Sequence, residues 1–312
     1  MSNKGAWAEI YRPQTIEETI LPDRIKDRFR TFVKEGALPN LILSGPPGTG
    51  KTTIAKAALN EIGSDMLFIN GSMDGGKDTF RYKISNFASA MSFSGGRKYV
   101  IIDEADDMPA GAQMGFRSFQ QTFDKNCGYI FTCNYPNRIM KELHSRFANI
   151  DFSLYPEEKA VMASQYLKRA CYILEQENVA YDKKVVAELI MAYFPDFRKV
   201  LSEMQAYVSG DVREINVGIL SRTKVDIKEL FSLLKDKNFD GMRRWVSENS
   251  DQDTNSIFRE LYDNHDKYVV KASSPAFIIQ LGEYQYKHTL VADPEINLVA
   301  LLTEIMFEVD FK

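Results

Sequence analysis

The chain has little cysteine, which argues against a disulfide-rich domain and against a domain stabilised by structural zinc. Only Cys127, Cys133 and Cys171 occur among its 312 residues, with no Cys-x-x-Cys pair and no histidine placed to complete a metal site. A disulfide framework or a structural zinc site needs more thiols, or thiols and histidines at short spacing. We therefore predict that all three cysteines are small buried apolar residues.

Long apolar runs are also missing. None approaches the roughly 20 residues that a membrane-spanning helix needs, and the first seven residues, MSNKGAW, lack the apolar stretch of a signal peptide. We expect a cytoplasmic protein that makes no contact with a membrane.

An excess of positive charge is absent as well. Lys and Arg number 39 against 43 Asp and Glu, which gives a net charge of -4. This balance argues against binding a polyanion over the whole surface. It leaves room for a local basic face, because the distribution of charge rather than its total decides phosphate binding.

The first half of the chain has the pattern of an α/β domain. Short apolar runs alternate with helix-like segments, and they lie at 40–43, 66–69, 99–102 and 128–132, with a further short strand predicted at 149–152. Runs that are apolar without alternation suit a parallel sheet that helices bury on both faces. The sequence therefore predicts a parallel sheet flanked by helices within residues 1–152.

Helical periodicity replaces the strand-like runs beyond Tyr155-Pro156 and predicts two further domains. A small helical domain should span 153–222, and an all-α domain should span 223–312 with helices near 227–234, 256–266 and 275–287. Asp293-Pro294 opens a last helix, with aspartate as the cap and proline at the first helical position. That helix is apolar on nearly every side, so it should be buried within its own domain or against a neighbouring subunit.

One glycine-rich segment follows the first predicted strand and opens a helix. It consists of Gly45, Pro46, Pro47, Gly48, Thr49, Gly50, Lys51 and Thr52, with Thr53 next in the helix. This is the phosphate-binding P-loop pattern in its required context, in which backbone N–H groups and the helix dipole face a phosphate. We expect the segment to bind ATP, with Lys51 at the β- and γ-phosphates and the Thr52 hydroxyl on Mg²⁺.

Two adjacent carboxylates end the third predicted strand, at the sheet edge where nucleotide sites lie. Asp103 should hold Mg²⁺ through water, and Glu104 should orient and polarise the attacking water. Asp106 and Asp107 are interpreted as a solvated loop.

Asn134 and Arg198 are candidates for contact near the γ-phosphate. Asn134 ends the fourth strand, where its amide could hold water or simply form a turn. Asp196 is a good N-cap, yet it places Arg198 and Lys199 in the first turn of a helix, where the macrodipole disfavours cations by about 0.3–1 kcal/mol. A nearby phosphate would remove that conflict; otherwise Arg198 is an exposed arginine.

The order of these motifs resembles the clamp-loader ATPases of the AAA+ superfamily, most closely those of T4-like bacteriophages. The most specific marks are Tyr11-Arg12-Pro13, the run 86–90 (NFASA) and the run 194–199 (FPDFRK). The resemblance implies a nucleotide-binding domain, a helical lid and a C-terminal oligomerisation collar. For a phage protein, the expected location is the cytoplasm of a bacterial host.

The resemblance also implies roles that the residues alone leave open. Tyr11, Arg12 and Pro13 would help form the adenine pocket, and Arg146 of a Ser-Arg motif would reach the ATP of a neighbouring subunit instead of being a solvated rim charge. Family members commonly have Ser-Arg-Cys where this chain has Ser145-Arg146-Phe147, and they commonly have lysine at the position of Ile10. Neither departure removes a group needed for phosphate chemistry.

Family loaders grip primer-template DNA inside a spiral of subunits and press apolar residues onto a ring-shaped sliding clamp. Candidates for phosphate contact are Lys77, Arg81 and Lys83, with Gln113 as a weaker one; alternatively the basic residues are a solvated helix end. Candidates for clamp contact are Met91 and Phe93, which could equally belong to the core.

The sequence thus predicts an ATPase subunit that assembles with copies of itself and a distinct small subunit, opens a clamp and closes it on primed DNA. Two alternatives remain open at this stage. One is another AAA+ DNA motor, such as a branch-migration ATPase or a helicase loader. The other is a scaffold subunit that lends Arg146 without hydrolysing ATP, although a scaffold has no use for intact Lys51, Thr52, Asp103 and Glu104.

Overall fold

The chain folds into two compact units, residues 1–221 and 222–312. The structure is a computed structural model that describes residues 5–72, 77–92, 95–208, 213–222, 227–249, 254–288 and 290–312, with the backbone alone at 77–81, 117–121, 221–222 and 256. Within that part, no helix is long and apolar enough to cross a membrane. The predicted division of the first unit at residue 152 stays a prediction.

A five-stranded parallel sheet forms the centre of the first unit. Its strands are β1 (Leu41–Ser44), β2 (Met66–Asn70), β3 (Lys98–Asp103), β4 (Cys127–Cys133) and β5 (Ala148–Asp151). They lie in the order β2-β3-β4-β1-β5, and every neighbouring pair is parallel. The α/β prediction is confirmed. Because β1 lies beside β4, and β4 beside β3, the carboxyl ends of these three strands meet at one edge.

Helices cover both faces of this sheet at its three central strands, which explains why β1, β3 and β4 are apolar without alternation. The helices of this part are α1 (Trp7–Ile10), α2 (Asp23–Glu35), α3 (Lys51–Ile62), α4 (Lys77–Ser89), α5 (Ala110–Phe123) and α6 (Lys141–His144). Leu41 and Leu43 of β1 share a buried cluster with Phe29 of α2. Ile42, between them, belongs to the opposite cluster with Phe116 of α5.

The rest of the first unit is mostly helical. It contains α7 (Pro156–Gln176), α8 (Lys183–Tyr193) and α9 (Phe197–Tyr207). Two short strands, β6 (Ala180–Tyr181) and β7 (Glu214–Ile215), pair in parallel beside these helices. The expectation that strands stop at residue 155 is therefore wrong, because two-residue strands carry too little periodicity to be recognised in the sequence.

The start of the chain packs with these helices. Trp7 of α1 is buried in their core, and its backbone N–H donates to Gln205 Oε1 of α9 at 2.8 Å. The segment that leads into Tyr11-Arg12-Pro13 is thereby anchored to α9. A helix of four residues is too short to show a periodic pattern in the sequence.

The second unit is all-α in its described residues, as predicted. Its helices are α10 (Ile227–Lys235), α11 (Phe239–Glu248), α12 (Thr254–Tyr268), α13 (Ser274–His288) and α14 (Pro294–Glu308). Asp293 caps α14 as expected, accepting from the N–H groups of Glu295 and Ile296. Leu301 and Leu302 of α14 are fully buried, whereas Ile296 is 67% exposed. One face of this apolar helix thus packs within its own unit and leaves another uncovered.

Candidate nucleotide site

The P-loop connects β1 to α3 through glycines that no other residue could easily replace. Gly45, Gly48 and Gly50 all have positive φ, with 70° at Gly48. A Cβ atom added at Gly48 would lie only 1.8 Å from Asp196 Oδ1. Glycine is therefore required there both by the backbone conformation and by the close approach of the segment that begins α9.

Lys51 is buried at the first turn of α3, with 8% of its surface exposed. Its Nζ donates to Gly45 O and Pro46 O at 2.7 Å each and to Asn134 Oδ1 at 3.0 Å, so all three acceptors are uncharged. Burial lowers the pKa of Lys51 to about 8. An anionic phosphate at this position would stabilise the charged form better than these acceptors do.

Thr52 and Asp103 bring oxygen ligands together at the sheet edge. Thr52 Oγ1 donates to Asp103 Oδ1 at 2.6 Å, and the Thr132 hydroxyl of β4 donates to the same oxygen. Mg²⁺ is usually bound by one or two protein oxygens together with substrate phosphates and water. The Thr52–Asp103 pair fits that requirement.

Glu104 has a strained backbone next to the site. Its φ of 55° and ψ of 46° place it in the left-handed region, which costs a non-glycine residue about 1–3 kcal/mol. Its Oε2 accepts from Ser72 Oγ at 2.8 Å and from Asn70 Nδ2 at 3.2 Å. Asn70 ends β2 and pairs in register with Asp103. Sequence reasoning missed Asn70 and Ser72, although both lie at the carboxyl end of β2, the strand next to β3.

Asp106 differs most from its predicted environment. It is only 7% exposed, and its Oδ2 accepts from the backbone N–H groups of Asn134 at 3.0 Å and Tyr135 at 2.9 Å. The solvated-loop prediction is wrong for Asp106, because the 3₁₀ helix at Ala105–Asp107 buries it against the end of β4. Asp107 is more exposed and pairs with Arg138 at 3.2 Å. Asp106 therefore fixes the residue that contacts Lys51.

A cleft lies beside the P-loop. Tyr11, Arg12, Pro13 and Arg198 line it together with residues 48–53, whereas Pro46 and Pro47 are exposed. Sequence reasoning missed the apolar side chains that complete the lining, Tyr166, Ile173, Phe197 and Leu201. The rings of Tyr166 and Phe197 stack at 4.7 Å between centroids.

Two hydrogen bonds hold Tyr11 against α7. Arg169 donates to Tyr11 O at 3.0 Å, and Tyr11 Oη donates to Glu177 Oε1 at 2.6 Å. Burial and the Glu177 carboxylate raise the pKa of Tyr11 to about 12, so the hydroxyl stays a donor at neutral pH.

Arg198 lies in the first turn of α9, where Asp196 accepts from Lys199 N at 3.0 Å as the predicted cap. Its charge is one of the causes that lower the pKa of Lys51, after burial. Two cations that face the same cleft favour an anion between them.

Arg146 lies outside this cleft, just after α6. Within the described part of the chain, no hydrogen bond or ion pair holds its guanidinium. Phe147, where family members commonly have cysteine, is buried and packs on Phe131 of β4 at 4.7 Å between ring centroids. The substitution is therefore accommodated by core packing.

Comparisons with known proteins agree with this geometry. Residues 41–154 match the model of the ATPase family associated with various cellular activities, and residues 158–221 match the lid domain of the sliding-clamp-loader large subunit. The sliding-clamp-loader large subunit of Enterobacteria phage T4 is 36% identical and that of Escherichia phage RB69 is 33% identical, each over 97% of this chain and 96% of the relative. The chain belongs to the sliding-clamp-loader large subunits. It is therefore an AAA+ ATPase that binds nucleotide.

More distant relatives share the fold. The replication factor C small subunit of Sulfurisphaera tokodaii is 31% identical over 96% of this chain and 94% of its own length. A solved structure of a RuvB mutant from Thermotoga maritima has a TM-score of 0.54 with 18% identity, covering 72% of this chain and 81% of that one. At that identity the likeness concerns the fold alone.

Of the residues predicted to contact DNA or the clamp, some lie in the described part of the chain and others do not. Lys77, Arg81 and Lys83 all belong to α4, but the side chains of Lys77 and Arg81 lie outside the described part, as does all of Phe93. Lys83 is exposed, and Met91 is 91% exposed, so it does not belong to the core.

Gln113 does not agree with its predicted role as a DNA contact. It is 4% exposed; its Nε2 donates to Met108 O at 3.2 Å and Arg138 O at 3.1 Å, and its Oε1 accepts from Met140 N at 2.9 Å. Its amide forms these hydrogen bonds within the chain, and they join the start of α5 to the start of α6.

Glu104→Gln in the loader subunit should leave ATP binding intact and slow hydrolysis about 10²–10⁴-fold, the usual contribution of a positioned general base. Glutamine can still accept from Asn70 and Ser72 but cannot polarise water as a carboxylate does. Single-turnover hydrolysis and nucleotide binding by the assembled complex measure the two effects. A normal hydrolysis rate would show that Glu104 is not the base.

Proposed function

We propose that this chain is an ATPase subunit of a DNA polymerase sliding-clamp loader. It acts with other copies of itself and a distinct small subunit on a ring-shaped clamp and primer-template DNA. ATP binding drives clamp opening and gripping of the DNA, and hydrolysis triggered by DNA releases the closed clamp during replication. The observation that carries the proposal is that Lys51, Thr52, Asp103 and Glu104 lie together at one sheet edge, in a chain whose Arg146 lies outside this site.

Within one subunit, each site residue has a role that follows from its position. Lys51 would bind the β- and γ-phosphates, and Thr52 and Asp103 would hold Mg²⁺, which neutralises charge on the phosphates when bound. Glu104 would take a proton from the attacking water, and Asn134 would hold that water near the γ-phosphate. Arg198, on α9, would bind the same phosphate and so connect the helices of the lid to the nucleotide state.

Arg146 would act on the neighbouring subunit's ATP. Charge spreads over the γ-phosphoryl oxygens in the transition state, where a guanidinium supplied in trans contributes about 10³–10⁵ in rate. Its lack of an intrachain partner in the described residues supports this role, because an arginine committed to its own fold would be paired.

The alternatives predict different behaviour. A branch-migration ATPase or helicase loader shares the P-loop and Asp103-Glu104, and a solved RuvB motor from Thermotoga maritima shares the fold at 17% identity and a TM-score of 0.51. Neither alternative predicts an ATPase that responds to a sliding clamp. A non-hydrolysing scaffold predicts no hydrolysis by this chain at all.

The ATPase rate of the complete loader should therefore rise when clamp and primed DNA are added together, and rise less with either one alone. Steady-state phosphate release measures this directly. Lys51→Ala in every copy is the control and should abolish the activity. Stimulation by DNA that does not change with the clamp would favour another DNA motor.

Arg146→Ala should keep nucleotide binding but lose stimulated hydrolysis, and mixing can separate a trans role from a cis role. In complexes that contain both Arg146→Ala and Lys51→Ala chains, the Lys51→Ala chain still offers Arg146 to its neighbour's intact site. We expect partial recovery of ATPase activity from two inactive parents, incomplete because only some interfaces have the right order. Co-assembled mixtures without recovery would contradict the trans role.

Replacing Lys77 and Arg81 together by alanine tests the proposed grip on DNA. If both contact phosphates, affinity for all primed DNA should fall alike and the slope of log affinity against log salt should flatten by about two. ATP affinity should not change. Binding titrations at several salt concentrations measure the slope, and an unchanged slope would leave both residues as ordinary surface charges.

A further inference from the structure

We propose that His144 is a positioning residue that joins the chain's own nucleotide site to the arginine it offers to a neighbour. The inference rests on the proposed trans role of Arg146. His144 Nε2 lies 2.9 Å from Pro136 O, and a carbonyl oxygen can only accept, so Nε2 must carry the proton and donate. This hydrogen bond connects two segments with different tasks.

The first segment belongs to the chain's own site. Pro136 follows Asn134 and Tyr135, whose backbone N–H groups donate to the buried Asp106 carboxylate. Asn134 Oδ1 accepts from Lys51 Nζ at 3.0 Å. A phosphate that takes over Lys51 would compete with this contact, so the Asn134 side chain connects the segment that carries Pro136 to the nucleotide site.

The second segment carries Arg146. His144 is the last residue of α6, and the Arg146 N–H donates to Leu143 O at 3.0 Å, which closes the turn around it. Leu143 and Phe147 are buried on either side. The backbone from 143 to 147 is thus held by the core, and a movement of His144 also moves Arg146.

The other ring nitrogen of His144 is used as well. Nδ1 lies 3.2 Å from Asn149 Oδ1, at the start of β5. A neutral imidazole satisfies both partners if the Asn149 amide presents its NH₂ group to Nδ1. The ring is therefore fixed from two sides, which a positioning role requires.

His144 connects the two ends of the stretch from residue 136 to residue 144, whereas Gln113 binds the middle of that stretch. Gln113 ties Arg138 O and Met140 N to Met108 O, next to the carboxyl end of β3. The contact between His144 and Pro136 is therefore a direct hydrogen bond from the loop after Asn134 to the turn that carries Arg146.

The test uses mixed complexes in which only one kind of interface can hydrolyse ATP. Donor chains carry Glu104→Gln, so they bind ATP without hydrolysing it and still offer Arg146. Acceptor chains carry Arg146→Ala and keep an intact site. Different affinity tags on the two chains select complexes that contain both. If this parent mixture shows no activity, the proposed trans role of Arg146 itself fails, before His144 is changed.

His144→Met is then placed in either the donor or the acceptor, because methionine has nearly the same length but cannot donate. In the donor it should lower kcat roughly 2- to 10-fold, the range expected for one lost hydrogen bond, with KM for ATP unchanged. In the acceptor it should have little effect, since Asp106 still holds Asn134. His144→Gln, whose amide can donate to Pro136 O, is the matched control and should retain the parent kcat in the donor.

Three results would overturn the inference. They are no loss with His144→Met in the donor, an equal or larger loss with it in the acceptor, and a loss with His144→Gln as large as with His144→Met. The two placements also control for folding, because a chain that folds or assembles poorly would lower activity in both.

Discussion

The meeting of parallel strand ends at one sheet edge is the constraint on which the rest of the site depends. β1 leads into the P-loop, β3 ends in Asp103, and β4 leads into Asn134, while β2 brings Asn70 beside Asp103. Parallel pairing requires crossover connections, and the helices that make them bury both faces of the sheet. The same requirement that makes the central strands β1, β3 and β4 apolar therefore places polar chemistry at their ends.

Buried charge is the second feature that ties stability to function. Lys51 is buried among uncharged acceptors, and burial lowers its pKa to about 8. Asp106 is buried with one oxygen on two backbone N–H groups and, within the described residues, no partner for the other. Both charges cost folding free energy. A bound anion at Lys51 stabilises such a site. Part of the binding free energy of a nucleotide therefore comes from removing the cost of burying the Lys51 charge among uncharged acceptors.

The cleft walls come from both ends of the first unit's sequence. Tyr11 is held by Arg169 and Glu177 of the helical segment, and Trp7 is buried in the core of the same helices. Arg198 and the stacked pair Tyr166 and Phe197 also line the cleft. A nucleotide in this cleft would contact the P-loop and these helices together.

The sequence alone determined the parallel sheet, the P-loop and the Asp103-Glu104 pair, because these depend on local pattern: uninterrupted apolar runs, glycine spacing and the residue that follows a strand. It could not determine the partners of these groups. Asp106 reads as one acid in an acidic loop, Gln113 as an exposed amide and Asn70 as the end of a strand. Their burial and hydrogen bonds join residues far apart in the chain, so only the tertiary structure decided that Asp106 holds Asn134, that Asn70 and Ser72 hold Glu104, and that Gln113 faces the chain's own backbone.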